Sequence, residues 1–314
     1  MTTPAIAANG LRKSYPGKGG DKVVLDGIDL TVPEGTVFSL LGPNGAGKTT
    51  AVQILSTLIP ADGGTVRVAG HDLARSPDDV RGAIGVTGQY SAVDKLLTGE
   101  ENLLLMADLH HLSRRDGRRR AAELLDRFDL ADAARKPASA YSGGMQRRLD
   151  LAMTLVGDPR LIFLDEPTTG LDPRSRRSMW QIVRELVAGG VTIFLTTQYL
   201  EEADELADRI ALLDRGRLIA EGTADELKRR IPGGHIRLTF AGAHLLDAAR
   251  RVLDEGVADP DALTLRVPSD GGVRAVRELL VLLDERGIDV AEMSVHTPDL
   301  DDVFLTLTGR EATR

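Results

Sequence analysis

The stretch from Gly42 to Thr50 constrains the fold of this chain more than any other. Its members are Gly42, Pro43, Asn44, Gly45, Ala46, Gly47, Lys48, Thr49 and Thr50. They match G-x-x-x-x-G-K-[ST], the pattern of a loop that binds nucleotide phosphates when a strand precedes it and a helix follows it. The apolar run at residues 37–41 predicts a buried parallel strand, and the helical spacing of apolar residues at 52–59 predicts the helix.

The residue types of this loop suit an anion. Glycines let successive backbone N–H groups turn toward one point, and a helix start adds about half a positive charge. We expect Lys48 to reach the outer phosphates of a nucleotide and the Thr49 hydroxyl to hold Mg²⁺. The alternative is a glycine-rich turn with a solvent-exposed lysine. The strand and helix on either side favour a nucleotide site instead.

Composition narrows the classes of protein that remain. A length of 314 residues is typical of two domains, and the net charge of −8 argues against a nucleic-acid binder. The chain has no cysteine, which excludes disulfides and thiolate zinc sites. No run approaches the roughly 18 apolar residues that a spanning helix needs, and the first residues lack the apolar core of a signal peptide. We therefore expect another polypeptide to span the membrane if this protein works there.

A second predicted helix start can also bind an anion. Apolar residues at positions 145, 149, 152 and 156 lie on one helical face, so a helix begins after Ser142. Ser142 is a plausible N-cap, and Gly143 and Gly144 leave the first helix amides open. The simpler alternative is an ordinary helix cap with no ligand.

Two adjacent carboxylates follow the apolar run at residues 161–164. Asp165 and Glu166 end a predicted buried strand, which is costly unless the acids serve a metal ion or a water at the edge of the sheet. We expect Asp165 to hold Mg²⁺ through water and Glu166 to orient or deprotonate an attacking water. The alternative is a pair of surface acids in a turn before Pro167.

Other positions carry weaker expectations. Tyr15 is predicted in a loop between strands at 6–11 and 23–32, either as a surface aromatic or as a platform for adenine. Strands are also predicted at 84–88, ending at Gln89, and at 191–196, ending at Gln198. A strand at 209–213 is predicted to close the sheet, and Trp180 is expected only to pack.

The carboxyl-terminal part reads as a small α+β module. Strands are predicted at 236–240, 263–267 and 290–295, with helices at 245–253 and 273–286. A last helix is predicted with Thr297 as its cap, Pro298 at its first position and Gly309 after its end. Its apolar stripe at residues 300–307 is interpreted as module core, with a docking face as the alternative.

Taken in order, these motifs resemble the ATP-binding subunit of an ABC transporter. The set comprises the phosphate loop, Gln89, Ser-Gly-Gly-Met-Gln at 142–146, Leu-Asp-Glu-Pro at 164–167 and Gly-Leu-Asp-Pro at 170–173. Within that superfamily, Thr-Thr-Gln-Tyr-Leu-Glu-Glu-Ala-Asp at 196–204 and Pro-Asp-Leu-Asp-Asp-Val-Phe-Leu at 298–305 resemble the daunorubicin-resistance type of drug exporter.

The resemblance implies a fold, a domain division and an assembly. The fold class is α/β, a P-loop cassette with a mixed sheet and a helical subdomain at about 90–157, plus the α+β module. The cassette is expected at 1–230, a linker at 231–234 and the module at 235–314. Two cassettes would stack head to tail on binding ATP and Mg²⁺, with Ser142, Gly143 and Gly144 facing the partner's nucleotide. Matching positions imply Tyr15 against adenine and Asp172 at the dimer interface.

The resemblance also implies a catalytic set and partners. Gln89 is expected near Mg²⁺ and the attacking water, with Lys48, Glu166 and Gln198 at the γ-phosphate. The implied function is ATP-driven export of a hydrophobic drug or antibiotic, with the cargo handled by a separate integral membrane permease and no nucleic acid bound. The chain would lie on the cytoplasmic side of the cell membrane. A soluble ABC-type ATPase acting on ribosomes or DNA is the alternative.

One position departs from the superfamily pattern. The switch position usually carries histidine, and this chain has Gln198. Glutamine can donate a hydrogen bond to the γ-phosphate but cannot carry a proton or a positive charge. We therefore expect hydrolysis to depend on Glu166, with no rate step that follows histidine titration.

Overall fold

The structure is a computed structural model that describes residues 3–17, 20–88, 92–231, 234–253, 255–296 and 298–308. The chain divides into two compact units, Met1–Ala224 and Asp225–Arg314. The predicted boundaries, with a linker at 231–234, stay a prediction, and residues 232 and 233 lie outside the described residues.

The first unit combines strands and helices, as expected of a P-loop cassette. In chain order the elements are β1 Ile6–Tyr15, β2 Lys22–Val32, β3 Val37–Leu41, α1 Lys48–Leu55, β4 Gly63–Val68, β5 His71–Asp72, α2 Pro77–Ala83, β6 Ile84–Thr87, α3 Gly99–Leu109, α4 Arg114–Arg127, α5 Gly143–Thr154, β7 Leu161–Asp165, α6 Pro173–Ala188, β8 Thr192–Thr197, α7 Leu200–Leu206, β9 Arg209–Asp214 and β10 Arg217–Gly222. A short helix, α8 Ala224–Lys228, follows.

A six-stranded sheet in the order β10-β9-β3-β8-β7-β6 forms the centre of this unit. Strands β9, β3, β8, β7 and β6 are parallel, and β3, β7 and β8 are buried along their whole length, which explains their continuous apolar sequence. The carboxyl ends of β3, β7 and β8 therefore meet at one edge of the sheet. The phosphate loop, the two carboxylates and Gln198 all follow these three strands.

Two predictions about strands were wrong. The strand at 209–213 does not close the sheet, because β10 pairs antiparallel with β9 beyond it. The turn between them uses Arg215 and Gly216, both with positive φ (46° and 78°). Tyr15 does not lie in a loop, because β1 continues to Tyr15 and pairs it with Lys22 of β2. Strands β1, β2, β4 and β5 form a separate antiparallel sheet.

Helices α3, α4 and α5 lie in the range of about 90–157 where the helical subdomain is expected. Thr98 caps α3 in a reciprocal box with Glu101, and Ser113 caps α4 by accepting the Asp116 N–H. The three helices share one apolar cluster, which includes Leu103, Leu124 and Leu149. That cluster fixes the position of α5, whose first turn carries the second predicted anion site.

The second unit is an α+β module, as predicted. Its elements are β11 His235–Thr239, α9 Ala243–Val252, β12 Val257–Asp259, β13 Thr264–Pro268, α10 Val273–Glu285, β14 Glu292–His296 and α11 Leu300–Thr308. The antiparallel sheet has the order β12-β13-β11-β14, the arrangement of a split β-α-β unit. The short strand β12 was not predicted. Apolar residues of β11, β13, α9 and α10 form the core of the module.

The last helix begins later than its sequence suggested. Asp299 caps α11 by accepting the Asp302 N–H (2.8 Å), and Asp302 accepts the Asp299 N–H in return (3.1 Å). Pro298 therefore precedes the cap, while Thr297 and Gly309 lie outside the described residues. Leu300 and Val303 of the apolar stripe are buried. None of the helices in the described ranges is long and apolar enough to cross a membrane.

Candidate nucleotide site

The phosphate loop follows β3 and ends where α1 begins. The side chain of Lys48, the first residue of α1, folds back over this loop. Its ammonium group donates hydrogen bonds to the carbonyl oxygens of Gly42 (2.8 Å) and Pro43 (3.2 Å). Only 4 % of Lys48 is exposed. The lysine is thus held at the inner side of the loop, where it can meet a phosphate that the loop encloses.

Two positions in the loop accept only glycine. A Cβ atom at Gly42 would lie 2.3 Å from the carbonyl oxygen of Leu213. Gly47 has a φ of 112°, and a Cβ there would lie 2.7 Å from the Leu25 side chain and 2.9 Å from the Val24 carbonyl oxygen. The backbone therefore turns where no side chain fits. Gly47 also caps α1 without a side-chain hydrogen bond, so no side chain competes for the first helix amides.

The remaining loop residues differ in exposure. Asn44, Gly45 and Thr49 are exposed, Pro43 and Thr50 are half-buried, and Ala46 is buried. The Ala46 carbonyl oxygen accepts the Gly216 N–H (3.0 Å), so the β9–β10 turn holds the loop by a backbone hydrogen bond. The exposed Thr49 hydroxyl is consistent with its predicted role at Mg²⁺, which stays a prediction.

The two carboxylates meet Lys48 at the edge of the sheet. Glu166 Oε1 lies 3.5 Å from Lys48 Nζ, and both side chains are largely buried. Asp165 is 3 % exposed and accepts a hydrogen bond from the Thr196 hydroxyl of β8. Glu166 has a positive φ of 50°, a conformation held by its N–H, which donates to the Thr196 carbonyl oxygen (3.0 Å). Non-glycine residues in this region occur preferentially at functional sites.

Burial dominates the electrostatics of the lysine. It lowers the pKa of Lys48, and the nearby Glu166 and Asp165 carboxylates act in the opposite direction. A buried ammonium group is costly without anionic partners. The arrangement therefore favours additional negative charge next to Lys48, as a nucleotide phosphate would supply.

Sequence reasoning missed Arg147, which lies on α5. Its guanidinium group donates to the carbonyl oxygens of Pro167 (2.9 Å) and Gly88 (3.1 Å) and pairs with Asp150 (3.0 Å). Asp150 in turn accepts the Ala92 N–H (3.0 Å). Burial lowers the pKa of Arg147 and raises that of Asp150, and each partner's charge opposes the shift.

This pair connects α5 to two parts of the predicted site. It holds Gly88 and Ala92, the two sides of the segment that contains Gln89, and the residue after Glu166. Gln89 itself lies outside the described residues. The only signal in the sequence was the Gln-Arg-Arg run at 146–148, shortly after Gly143 and Gly144. The contacts of Arg147 depend on the tertiary fold, so this run did not predict them.

The second helix start is exposed. The Ser142 hydroxyl caps α5 by accepting the Met145 N–H (3.3 Å), as predicted, and both Ser142 and Gly143 are exposed. A Cβ at Gly144 would lie 2.6 Å from Ser175 Oγ, so α5 and α6 approach closely here. A cavity of about 210 Å³ adjoins this helix start, and Ser142, Gly144 and Ser175 contribute to its lining.

Asp172 caps the helix that α5 approaches. Its carboxylate accepts the N–H groups of Arg174 and Ser175 (both 3.0 Å) and the Ser175 hydroxyl (2.6 Å). The hydrogen bond from the Ser175 side chain holds the pKa of Asp172 below its usual value. Asp172 is exposed, which suits an interface residue.

The last two predicted residues lie at different places. Gln198 is half-buried and directly follows β8, the strand between β3 and β7, so it shares the edge that carries Lys48 and Glu166. Tyr15 is 38 % exposed at the end of β1, with Lys13 Nζ 5.6 Å from its ring centroid. Its role against adenine stays a prediction.

Comparison with known proteins identifies the family. The model of the ABC transporter family matches residues 25–169. A daunorubicin resistance ATP-binding protein of Streptomyces coeruleorubidus is 52 % identical, covering 98 % of this chain and 97 % of the relative.

Solved structures agree. An ATP-binding subunit of an ABC transporter aligns with a TM-score of 0.64 at 29 % identity, covering 73 % of this chain and 93 % of that structure. A dimeric ATP-binding cassette bound to ADP and Pi aligns with a TM-score of 0.63 at 27 % identity, covering 69 % and 98 %. The chain therefore belongs to the ABC transporter family, as an ATP-hydrolysing, ATP-binding subunit that resembles the daunorubicin-resistance proteins over almost its whole length.

Proposed function

We propose that this chain hydrolyses ATP to power export of a hydrophobic drug or antibiotic through a separate integral membrane permease, bound at the cytoplasmic side of the cell membrane. The observation that carries the proposal is the contact between Lys48 and Glu166 (3.5 Å) at the carboxyl edge of β3 and β7. It places a phosphate-binding cation beside a candidate base for water. The export role is supported by the similarity to a daunorubicin resistance ATP-binding protein.

The residues at this edge divide the chemistry between them. The Lys48 ammonium binds the outer phosphates, and the loop N–H groups enclose them. The Glu166 carboxylate orients or deprotonates the attacking water, and Gln198 donates a hydrogen bond to the γ-phosphate. Tyr15 offers its ring face to adenine.

The same edge fits Mg²⁺. Thr49 and Asp165 would supply oxygen ligands, the type that Mg²⁺ prefers, with Asp165 acting through water, and the Thr196 hydrogen bond orients the Asp165 carboxylate. Gln89, the third predicted ligand, lies outside the described residues. Mg²⁺ usually keeps several waters and binds substrate phosphates through one or two protein groups. Bound there, Mg²⁺ would neutralise phosphate charge.

A second copy of the chain completes the site. Ser142 and Gly143 are exposed at the start of α5, Gly144 approaches Ser175, and the exposed Asp172 accepts a hydrogen bond from Ser175. In a head-to-tail dimer, the amides of this helix start face the nucleotide held by the partner's phosphate loop. The dimeric arrangement of a structural neighbour with ADP and Pi supports this assembly.

The hydrolytic half is tested by replacing Glu166. We expect a Glu166→Gln variant to bind ATP and to dimerise, because the amide keeps the shape and hydrogen bonding of the side chain. Its turnover should fall by about two orders of magnitude or more, because the general base is lost. The matched control is Glu201→Gln, which removes the same charge from a side chain that is 69 % exposed. Near-normal turnover of Glu166→Gln would remove Glu166 from the mechanism.

The export half is tested by capture of the partner. A tagged chain would be purified from detergent-solubilised membranes of its own host, alongside Lys48→Ala, which should bind ATP more weakly. Stoichiometric recovery of a hydrophobic protein with several spanning segments supports the proposal and supplies the permease whose cavity selects the cargo. Recovery only from the soluble fraction, together with ribosomal or DNA-repair proteins, would overturn it in favour of a soluble ABC-type ATPase.

A further inference from the structure

A buried carboxylate outside the predicted site connects three of its elements. Glu202 lies on α7 and has no exposed surface. Its Oε1 atom accepts a hydrogen bond from the Thr168 hydroxyl (2.8 Å) and another from the Trp180 indole N–H (3.2 Å). Thr168 follows β7, and Trp180 lies on α6. One oxygen atom of Glu202 thus joins α7, α6 and the segment after β7.

Glu202 lies close in sequence to Gln198 and is linked through Thr168 to Glu166, the two residues proposed to act at the γ-phosphate. It lies four residues after Gln198, at the first turn of the helix that Gln198 precedes. Thr168 lies two residues after Glu166, in the segment that leads to Asp172. The next residue, Thr169, donates from its hydroxyl to Glu166 Oε2 (3.5 Å) and from its N–H to the Glu166 carbonyl oxygen (3.3 Å).

Burial of this carboxylate is costly, so its retention calls for a compensating role. Desolvation raises the pKa of Glu202, and hydrogen bonds from Thr197, Thr168 and Trp180 act in the opposite direction, with a smaller contribution from the charge of Arg176. An apolar residue would fill the same space without that cost. An apolar residue could not accept the two hydrogen bonds by which Glu202 joins separate elements.

We propose that Glu202 is a positioning residue for ATP hydrolysis: through Thr168 it sets the placement of Glu166 relative to Gln198. This inference rests on the proposed hydrolytic function of the site. Glu202 touches neither nucleotide nor water in this role. It acts by accepting hydrogen bonds, so acceptance rather than negative charge is the required property.

The first test removes a single hydroxyl. Thr168→Val keeps the volume of the side chain but cannot donate to Glu202. We expect kcat for ATP to fall about tenfold, which is the cost of losing one buried hydrogen bond at a positioned group, while KM stays within about twofold. The phosphate loop binds ATP without Thr168, so the two kinetic constants separate. Emission of Trp180, the single tryptophan of the chain, checks that its surroundings stay closed.

The second test separates hydrogen bonding from charge. Glu202→Gln keeps an oxygen acceptor at the same place and should retain most of the wild-type kcat. Glu202→Leu removes the acceptor and should lower kcat by at least as much as Thr168→Val does. The double variant Thr168→Val with Glu202→Leu should lose no more than Glu202→Leu alone, because both changes remove one interaction. If Glu202→Leu does not fold, Thr168→Val carries the test alone, and Trp180→Phe, which leaves the Thr168 donor in place, should retain most of the wild-type kcat.

The controls keep this proposal separate from the hydrolytic one. Glu201→Gln, an exposed neighbour on the same helix, should have wild-type kinetics. Wild-type turnover that Glu166→Gln abolishes supports the hydrolytic function whatever Glu202 does. The positioning role is overturned if Thr168→Val turns over like the Glu201→Gln control. It is also overturned if Glu202→Gln is as impaired as Glu202→Leu, or if kcat and KM change together with the unfolding temperature.

Discussion

The starts of α1 and α5 are built from similar glycine-rich sequence but are stabilised in different ways. At α1 the cap is Gly47 in a left-handed conformation, which makes no side-chain hydrogen bond to the helix. At α5 the cap is Ser142, whose hydroxyl accepts an N–H of the first turn. The first helix start thus leaves its amides to a ligand, whereas the second has one of them occupied already.

The charges around the two starts differ as well. Next to α1, the buried ammonium of Lys48 faces Glu166 at the edge of the sheet. Next to α5, Arg148 pairs with Asp129 (3.0 Å), a side chain that is 96 % exposed. One start lies beside buried charged groups, and the other lies at a surface. The difference fits the proposal that α1 binds the nucleotide within one chain, while α5 contributes only when a second chain approaches.

The largest effect is expected from a substitution that removes the Lys48 ammonium group at α1. Lys48→Ala should weaken ATP binding by about two orders of magnitude, because charge-assisted hydrogen bonds to the phosphates are lost from a buried site. Calorimetry or nucleotide fluorescence measures the affinity. Lys136→Ala, an exposed lysine far along the sequence, is the control and should bind normally. Tight binding by Lys48→Ala would mean that the two helix starts do not differ as described.

An intermediate effect tests whether the two starts serve different nucleotides. Ser142→Arg should bind ATP normally at its own phosphate loop but lose turnover, because the added side chain disables the site that its α5 completes on the partner's nucleotide. A mixture of equal amounts of Ser142→Arg and Lys48→Ala chains should recover up to about one quarter of wild-type turnover. About half of the dimers then combine both chains, and each such dimer has one site with an intact phosphate loop and an intact partner Ser142.

The control for this mixture is a double variant. A chain that carries both Ser142→Arg and Lys48→Ala, mixed with Lys48→Ala alone, contains no intact phosphate loop and should stay inactive. Recovery there would point to contaminating ATPase. If the first mixture stays as inactive as its components while wild type turns over, the head-to-tail arrangement is wrong for this chain.

Sequence reasoning succeeded where a motif coincides with a local geometric requirement. The phosphate loop needs glycine where a Cβ would collide, as at Gly42 and Gly47, and a helix start needs a cap such as Ser142. Continuous apolar runs also predicted β3, β7 and β8, because these strands are buried on both faces. The order of these strands then brought Lys48 and the two carboxylates to one edge.

It failed where the outcome depends on approach between distant elements. The sequence did not single out Arg147 or Glu202, but the fold places carbonyl oxygens around the first and two donors around the second. Trp180 was expected only to pack, yet it donates to Glu202. At α11, the Thr-Pro signal competed with an aspartate box, and Asp299 is the cap. The local sequence alone does not show which of these two cap signals starts the helix.

The smallest expected effect concerns the cap itself. Ser142→Ala removes the acceptor for the Met145 N–H and should lower the free energy of unfolding by about 1 kcal/mol, measured by urea denaturation. Ser113→Ala is a matched control, because Ser113 caps α4 in the same way by accepting the Asp116 N–H (3.1 Å). Both variants should lose similar stability.

Only one of these two variants should lose activity. In the proposed dimer, the Ser142 hydroxyl would also face the partner's nucleotide, so Ser142→Ala should lower turnover about fivefold beyond Ser113→Ala, the value of roughly one hydrogen bond. If both variants keep the same turnover, Ser142 is a cap and nothing more, and the anion-binding capacity of α5 resides in its backbone amides. If Ser142→Ala loses turnover without losing stability, the hydroxyl serves the partner's nucleotide rather than its own helix.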